Sequence, residues 1–100
     1  DVVSSVYLMH ELPREVRKRV VQEMLRVSKP GGLVIIQDSI QAGEVPKMDA
    51  LLKRYAKEAN EPYYLDYLED DLKSLLQECG AKVIGCDDAF VAKVITAQKQ

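Results

Sequence analysis

Residues 26–38 read Arg26-Val27-Ser28-Lys29-Pro30-Gly31-Gly32-Leu33-Val34-Ile35-Ile36-Gln37-Asp38. Pro30 disfavours helix at Lys29, and the two glycines permit the positive φ of a tight reversal. Leu33 to Ile36 is an unbroken apolar run with three β-branched residues, which reads as a strand buried on both faces. Upstream, Val16, Val20, Met24 and Val27 recur at i, i+4, i+8 and i+11, with Val21 and Leu25 widening the stripe. Arg14, Arg17, Lys18, Gln22 and Arg26 fill the other face, the pattern of an amphipathic helix. Helix, tight turn and buried strand form the second half of a βαβ crossover.

Working outward, Val2 to Val6 supplies the first strand of that unit, and the two strands are expected to be parallel neighbours. Met9-His10-Glu11-Leu12 is a loop at its carboxyl end, and Pro13 suits the first turn of the helix. Past Asp38, Ser39 to Gly43 reads as a loop. A second helix runs from about Val45 to Ala59, with Val45, Met48, Leu52, Tyr55 and Ala59 on one side. Tyr63 to Tyr67 reads as irregular. A third helix spans about Glu69 to Cys79, turning Leu72, Leu75, Leu76 and Cys79 inward and stopping at Gly80. Ala81 to Cys86 is a strand, Asp87-Asp88-Ala89 a turn, and Phe90 to Ala97 a final strand. So short a connection requires an antiparallel pair. The pattern is β-α-β-α-α-β-β, an α/β fold closed by an antiparallel hairpin.

One hundred residues, 47% hydrophobic and 30% charged, suit a single domain over 1–100. A formal net charge of −2 gives no electrostatic basis for a nucleic-acid partner. No apolar run approaches the roughly 20 residues of a membrane span, and no basic leader precedes the first strand, so a cytoplasmic protein is expected. Cys79 and Cys86 lack a ligand or disulfide pattern and read as buried thiols of a reducing compartment. The chain opens on Asp1, directly into a buried-type strand, as a piece of a longer protein would.

Asp1-Val2-Val3-Ser4-Ser5, His10-Glu11-Leu12-Pro13, Glu23, Leu25 to Gly32 and Asp38 together resemble the middle of a class I S-adenosylmethionine-dependent methyltransferase. The nearest relatives are the small-molecule enzymes of the ubiquinone/menaquinone-biosynthesis type. Gly80-Ala81 matches that family's helix stop before its sixth strand, with Lys82 where an aromatic is commoner. The resemblance covers essentially the whole chain. It implies that the four strands correspond to the family's strands four to seven, in spatial order 4-5-7-6 with the last antiparallel. The chain would then be the C-terminal half of a Rossmann-like methyltransferase domain, with residues 39–68 a helical insertion able to close over substrate. The family's glycine-rich loop and its ribose-binding acidic residue would precede Asp1. Gly31-Gly32 does not replace that loop, because it lies before a strand rather than between a strand and a helix. The implied activity is transfer of a methyl group from S-adenosylmethionine to a small-molecule acceptor by in-line displacement. The isolated chain is expected to be inactive.

In open parallel sheets, ligands bind at the carboxyl ends of strands, which selects Ser5 to Glu11 and Asp38 to Gln41. By the resemblance, Ser5 and Val6 would line the methionine end of the cofactor; Ser5 could equally be a small residue packed in a strand. His10, the sole histidine, could act as a general base or be a loop histidine bonded to backbone. Glu11 could face substrate or cap the following helix. Asp38 could touch substrate or the neighbouring helix. Tyr63, Tyr64 and Tyr67, with Tyr55, could wall a flat or apolar acceptor, or pack helix on helix with hydroxyls in water. The spacing of His10 and the carboxylates gives no metal-ligand motif. A competing reading is a non-catalytic half-domain that self-associates as a homodimer, or pairs with a separate chain, through its exposed sheet edge. A dinucleotide oxidoreductase half fits the terminal hairpin less well.

Overall fold

The computed structural model describes residues 2–58, 61–89 and 92–100. Strand β1 (Val2–Val6) leads through a 3₁₀ turn (Met9–Glu11) into helix α1 (Arg14–Val27) and strand β2 (Leu33–Ser39). A second 3₁₀ turn (Pro46–Met48) runs into α2 (Asp49–Glu58), followed by α3 (Tyr64–Glu69) and α4 (Leu72–Glu78). Strands β3 (Ala81–Ala89) and β4 (Ala92–Lys99) complete the chain. The sheet order is β1-β2-β4-β3, with β1 and β2 parallel and the other pairs antiparallel. This is the expected arrangement, with the last strand inserted between its two predecessors.

The Pro-Gly-Gly turn has a specific geometry. Gly32 N–H donates to Lys29 O at 2.8 Å, Pro30 stands at the second position and Gly31 takes φ +81° at the third. That is a type II turn, which requires the left-handed conformation at its third residue. Gly31 N–H then donates to Lys99 O and Lys99 N–H to Gly32 O, both at 3.0 Å, so β4 fastens the turn to the sheet.

The core lies on one face of the sheet. Val34, Ile36, Ile95 and Ala97 pack with Val21, Met24 and Leu25 of α1 and Leu72, Leu75 and Leu76 of α4. Each fully buried aliphatic side chain contributes about 2 kcal/mol. On the opposite face Leu33, Ile35, Val94 and Thr96 are only half-buried, while Val2 (59%), Val6 (60%) and Ile84 (50%) are exposed. The expectation of a strand buried on both faces therefore needs correcting. The described helices contribute their buried apolar residues to one cluster with Val34 and Ile36.

Arg17 is the largest departure on α1. Its side chain is fully buried, although the apolar spacing of the sequence puts it on the solvent face. The buried stripe runs Arg17, Val21, Met24 and Leu25, Ser28, whereas Val16 and Val20 are half-buried and Val27 is exposed. Three valines misled the phase of the helix by about one position.

Four other boundaries change. Tyr63 to Tyr67 is not irregular, because Tyr64–Glu69 forms α3, separated from α4 by Asp70 and Asp71. The helix expected from Glu69 to Cys79 is shortened at its start by that break, where Asp71 accepts from the amides of Lys73 and Ser74 as N-cap. The expected second helix begins as a 3₁₀ turn at Pro46, and Tyr55 on its expected inner side is exposed. Asp87 and Asp88 are not a turn but pair with Val94 and Lys93 in the hairpin. Ala59 and Phe90 lie outside the described residues.

Candidate functional site

Strand β1 ends at Val6, and Tyr7 turns the chain with φ +53°, an uncommon value for a residue with a side chain. Its N–H donates to Gln37 O at 2.8 Å, which anchors the reversal on β2. The 3₁₀ turn that follows buries Met9 and brings His10 over the end of β2.

There Asp38, with a wholly buried side chain, collects three donors. His10 Nδ1 lies 2.7 Å from Oδ1, Ser39 N–H donates to the same oxygen at 2.7 Å, and His10 N–H donates to Oδ2 at 3.3 Å. A carboxylate only accepts, so Nδ1 is the protonated nitrogen and the ring's lone pair sits on Nε2. His10 is thus held by a side chain from another strand and not by backbone alone.

Aromatic rings surround the imidazole. Tyr64 and Tyr67 lie 5.3 and 6.2 Å from it, Tyr55 lies 5.4 Å from Tyr64, and all meet at tilted or edge-on angles. Such pairs add stabilisation beyond burial. Ser39 Oγ donates to Ile40 O at 3.0 Å, which leaves it to accept from the Tyr64 hydroxyl at 2.5 Å. The Tyr67 hydroxyl donates to Ser39 O. Burial pushes both phenols above the ordinary tyrosine range, assisted by the nearby Asp38 charge and, at Tyr64, opposed by the Ser39 hydrogen bond. Neither hydroxyl reaches water as the packing alternative supposed.

A cavity of about 320 Å³ opens beside this cluster, lined by Tyr7, His10, Ser39, Tyr55 and Tyr64 with Leu51, Leu52 and Ala92. It is an apolar chamber with one polar wall, within the size range of small-molecule sites. Of the residues singled out from sequence, His10, Tyr55 and Tyr64 line it, and Asp38 and Tyr67 stand behind them. Tyr63 is 40% exposed at the start of α3 and Val6 is exposed; neither lines the cavity. Glu11 is exposed and makes no side-chain cap to α1, whose first position is preceded by Pro13. Tyr7 and Ser39 lie within the two strand-end stretches, with no role assigned to either, and Leu51 lies outside both. A left-handed tyrosine leaves no sequence signal, whereas Ser39 follows directly from the strand-end rule.

The insertion is fastened to the body by buried charge. Arg17 pairs with Asp66 and, at 3.0 Å, with Asp70, and its guanidinium carbon lies 5.7 Å from the centre of the Tyr67 ring. Gln41 donates to Tyr67 O and Asp70 O and accepts from Leu72 N–H and Lys93 Nζ. Lys93, fully buried, also bonds Glu44 at 2.6 Å.

No protein-family model and no curated protein matches the sequence. Solved structures do match. An S-adenosylmethionine-dependent methyltransferase from Methanosarcina mazei aligns with TM-score 0.65 at 16% identity, over 99% of this chain and 58% of that one. The protein TnmH aligns with TM-score 0.72 at 16% identity, over 100% and 30%. A possible exported protein from Bordetella parapertussis aligns with TM-score 0.70 at 16% identity, over 99% and 38%. At that identity the likeness is one of fold. The chain has part of a methyltransferase-like α/β fold, and it spans between 30% and 58% of these three structures.

The carboxyl end of β1 opens beside this site. Ser5 Oγ is buried with no hydrogen-bond partner among the described residues, and Val6 beside it is exposed. The two side chains point to opposite faces of the sheet, so the orphaned Ser5 hydroxyl is the one group there that a polar ligand would satisfy.

Proposed function

We propose that this chain is the acceptor-binding half of an S-adenosylmethionine-dependent methyltransferase acting on a small molecule. The observation that carries the reading is His10, which lines an apolar cavity while Asp38 holds its Nδ1 at 2.7 Å. When bound, S-adenosylmethionine supplies an electrophilic methyl group on a positively charged sulfur. Ser5 and Val6 would hold its methionine end. Tyr64 and the apolar lining would orient a flat or apolar acceptor, with Tyr67 packed behind; Tyr63 and Glu11 would meet the acceptor's outer parts. His10 Nε2 would take the proton that an acceptor hydroxyl or carbon acid gives up on methylation. The resulting imidazolium keeps its Nδ1–H on Asp38, which stabilises the positive charge. Alignment of the partners in the cavity supplies the remainder of the acceleration.

The 100 residues contain no glycine-rich turn between a strand and a helix, so the chain alone should not bind the cofactor firmly. Calorimetry with S-adenosylmethionine tests this directly. The full-length protein should bind at micromolar strength and the 100-residue chain should show no heat. Micromolar binding by the chain alone would refute the division of labour.

A second reading is favoured by the β1 edge. Among the described strands β1 has β2 on one side only, and Val2 and Val6 are exposed on it. An open edge with apolar side chains can pair with a second copy. Sedimentation of the chain as a dimer, with loss of that dimer in Val6→Lys, would favour association as its role.

A further inference from the structure

With Nδ1 committed to Asp38, the lone pair of His10 Nε2 faces Glu61, whose Oε2 lies 3.8 Å away. That distance is too long for a hydrogen bond. The same Oε2 is buried and has no hydrogen-bond partner among the described residues. Glu11 completes the group: one ligand atom each from His10, Glu11 and Glu61 lie within 4.8 Å of one another. A nitrogen lone pair and a carboxylate oxygen facing across such a gap want a cation between them.

We propose that His10 Nε2 and the carboxylates of Glu11 and Glu61 bind one divalent transition-metal ion, of which Zn²⁺ is the representative. Two ligand atoms about 2.1 Å from a tetrahedral zinc stand roughly 3.4 Å apart, so closing the His10–Glu61 gap needs a shift of a few tenths of an ångström. Glu11 is exposed and free to swing in. One imidazole with two carboxylates suits zinc, manganese or iron better than magnesium or calcium. Asp38 behind the imidazole is the outer carboxylate that such histidines commonly carry, fixing the tautomer and raising the basicity of Nε2. Three protein ligands leave a coordination position open. The site stands whether or not the chain takes part in methyl transfer, because it rests on these four side chains alone. It does bear on that reaction: an ion on Nε2 occupies the electron pair a base needs, so zinc would silence proton abstraction by His10.

The test is competition for Zn²⁺ between the 100-residue chain and a chromophoric chelator, with folding of each variant checked by circular dichroism. The expected result is one Zn²⁺ per chain, weakened at least tenfold in Glu61→Gln and Glu11→Gln, and tenfold to a hundredfold in Asp38→Asn. The Cys79→Ser/Cys86→Ser double variant should bind as the parent does. Should His10→Gln fail to fold, the two partly exposed glutamates still decide the matter. Binding weaker than about millimolar, binding that survives the Glu11/Glu61 double variant, or binding lost with the cysteines would each overturn the proposal. None of those outcomes touches the base assignment, which is read from turnover in metal-free buffer.

Discussion

Asp38 Oδ1 lies 2.7 Å from His10 Nδ1, and this contact joins the loop after β1 to the end of β2. Because Asp38 is wholly buried and accepts two further amides, its replacement strands several donors at once. Asp38→Ala should cost about 2–3 kcal/mol, the order expected when buried donors lose their acceptor. Urea denaturation measures it. A loss below about 0.5 kcal/mol would show that the carboxylate does not organise the site.

Arg17 makes a second test of how the insertion is held. Removing it leaves Asp70 and the face of Tyr67 without their cation, and Asp66 with only exposed Arg14. Arg17→Ala should destabilise by about 2–3 kcal/mol, below the full cost of breaking a buried pair because Asp66 is partly exposed. Arg17→Met, which keeps the packing, should lose less. Equal losses would mean that charge, and not side-chain volume, does all the holding, and no loss in Arg17→Met would mean the reverse.

Much of this architecture can be read from the sequence. Pro30-Gly31 dictates a type II turn through local backbone chemistry, and Gly80, at φ +96°, ends α4 for the same reason. The parallel first pair and the antiparallel last hairpin followed from the length of each connection, whereas the order of the strands rested on the family resemblance. Buried charge was harder to see. Arg17 stands on the true inner stripe with Val21 and Met24, but its carboxylate partners lie 49 and 53 residues away. Lys93 shares the inward parity of Ile95 and Ala97, although its charge argues for solvent and its partners Gln41 and Glu44 are far away in sequence. Helix α3 was missed because six residues rich in tyrosine carry little helical propensity, and its support is tertiary. The approach of Glu61 to His10 has no local signal at all.

Asp71 gives a pH-dependent prediction. Partial burial pushes its carboxyl up, but the Ser74 hydroxyl and the amides of Ser74 and Lys73, with the Lys93 charge, outweigh this and hold it below the usual range. A carboxyl lowered in the folded state contributes stability above its unfolded value, near 3.9, and loses it as pH falls through the folded value. Asp71→Ala should therefore cost about 1 kcal/mol at neutral pH, the typical worth of an N-cap. The gap between parent and variant should close below about pH 4.

The phenols provide an alkaline counterpart. Burial raises Tyr64 and Tyr67, so at least two of the five tyrosines should resist ionisation past pH 10, followed by absorbance near 295 nm. Since the unfolded phenols ionise first, stability should fall as pH rises above about 10. Tyr67→Phe should leave one fewer late-titrating group and cost about 1 kcal/mol for the lost bond to Ser39 O. Five tyrosines ionising together in the native protein would contradict the buried cluster.

The most direct test is turnover. Methyl-labelled S-adenosylmethionine is offered to the full-length protein, in metal-free buffer, with a panel of phenols and carbon acids. The account predicts label transfer to an acceptor, a kcat about 10²–10⁴-fold lower in His10→Gln, and cofactor affinity unchanged in that variant. Transfer undiminished by His10→Gln would contradict the role assigned to the His10–Asp38 pair, and failure of the full-length protein to bind S-adenosylmethionine would contradict the methyltransferase reading itself.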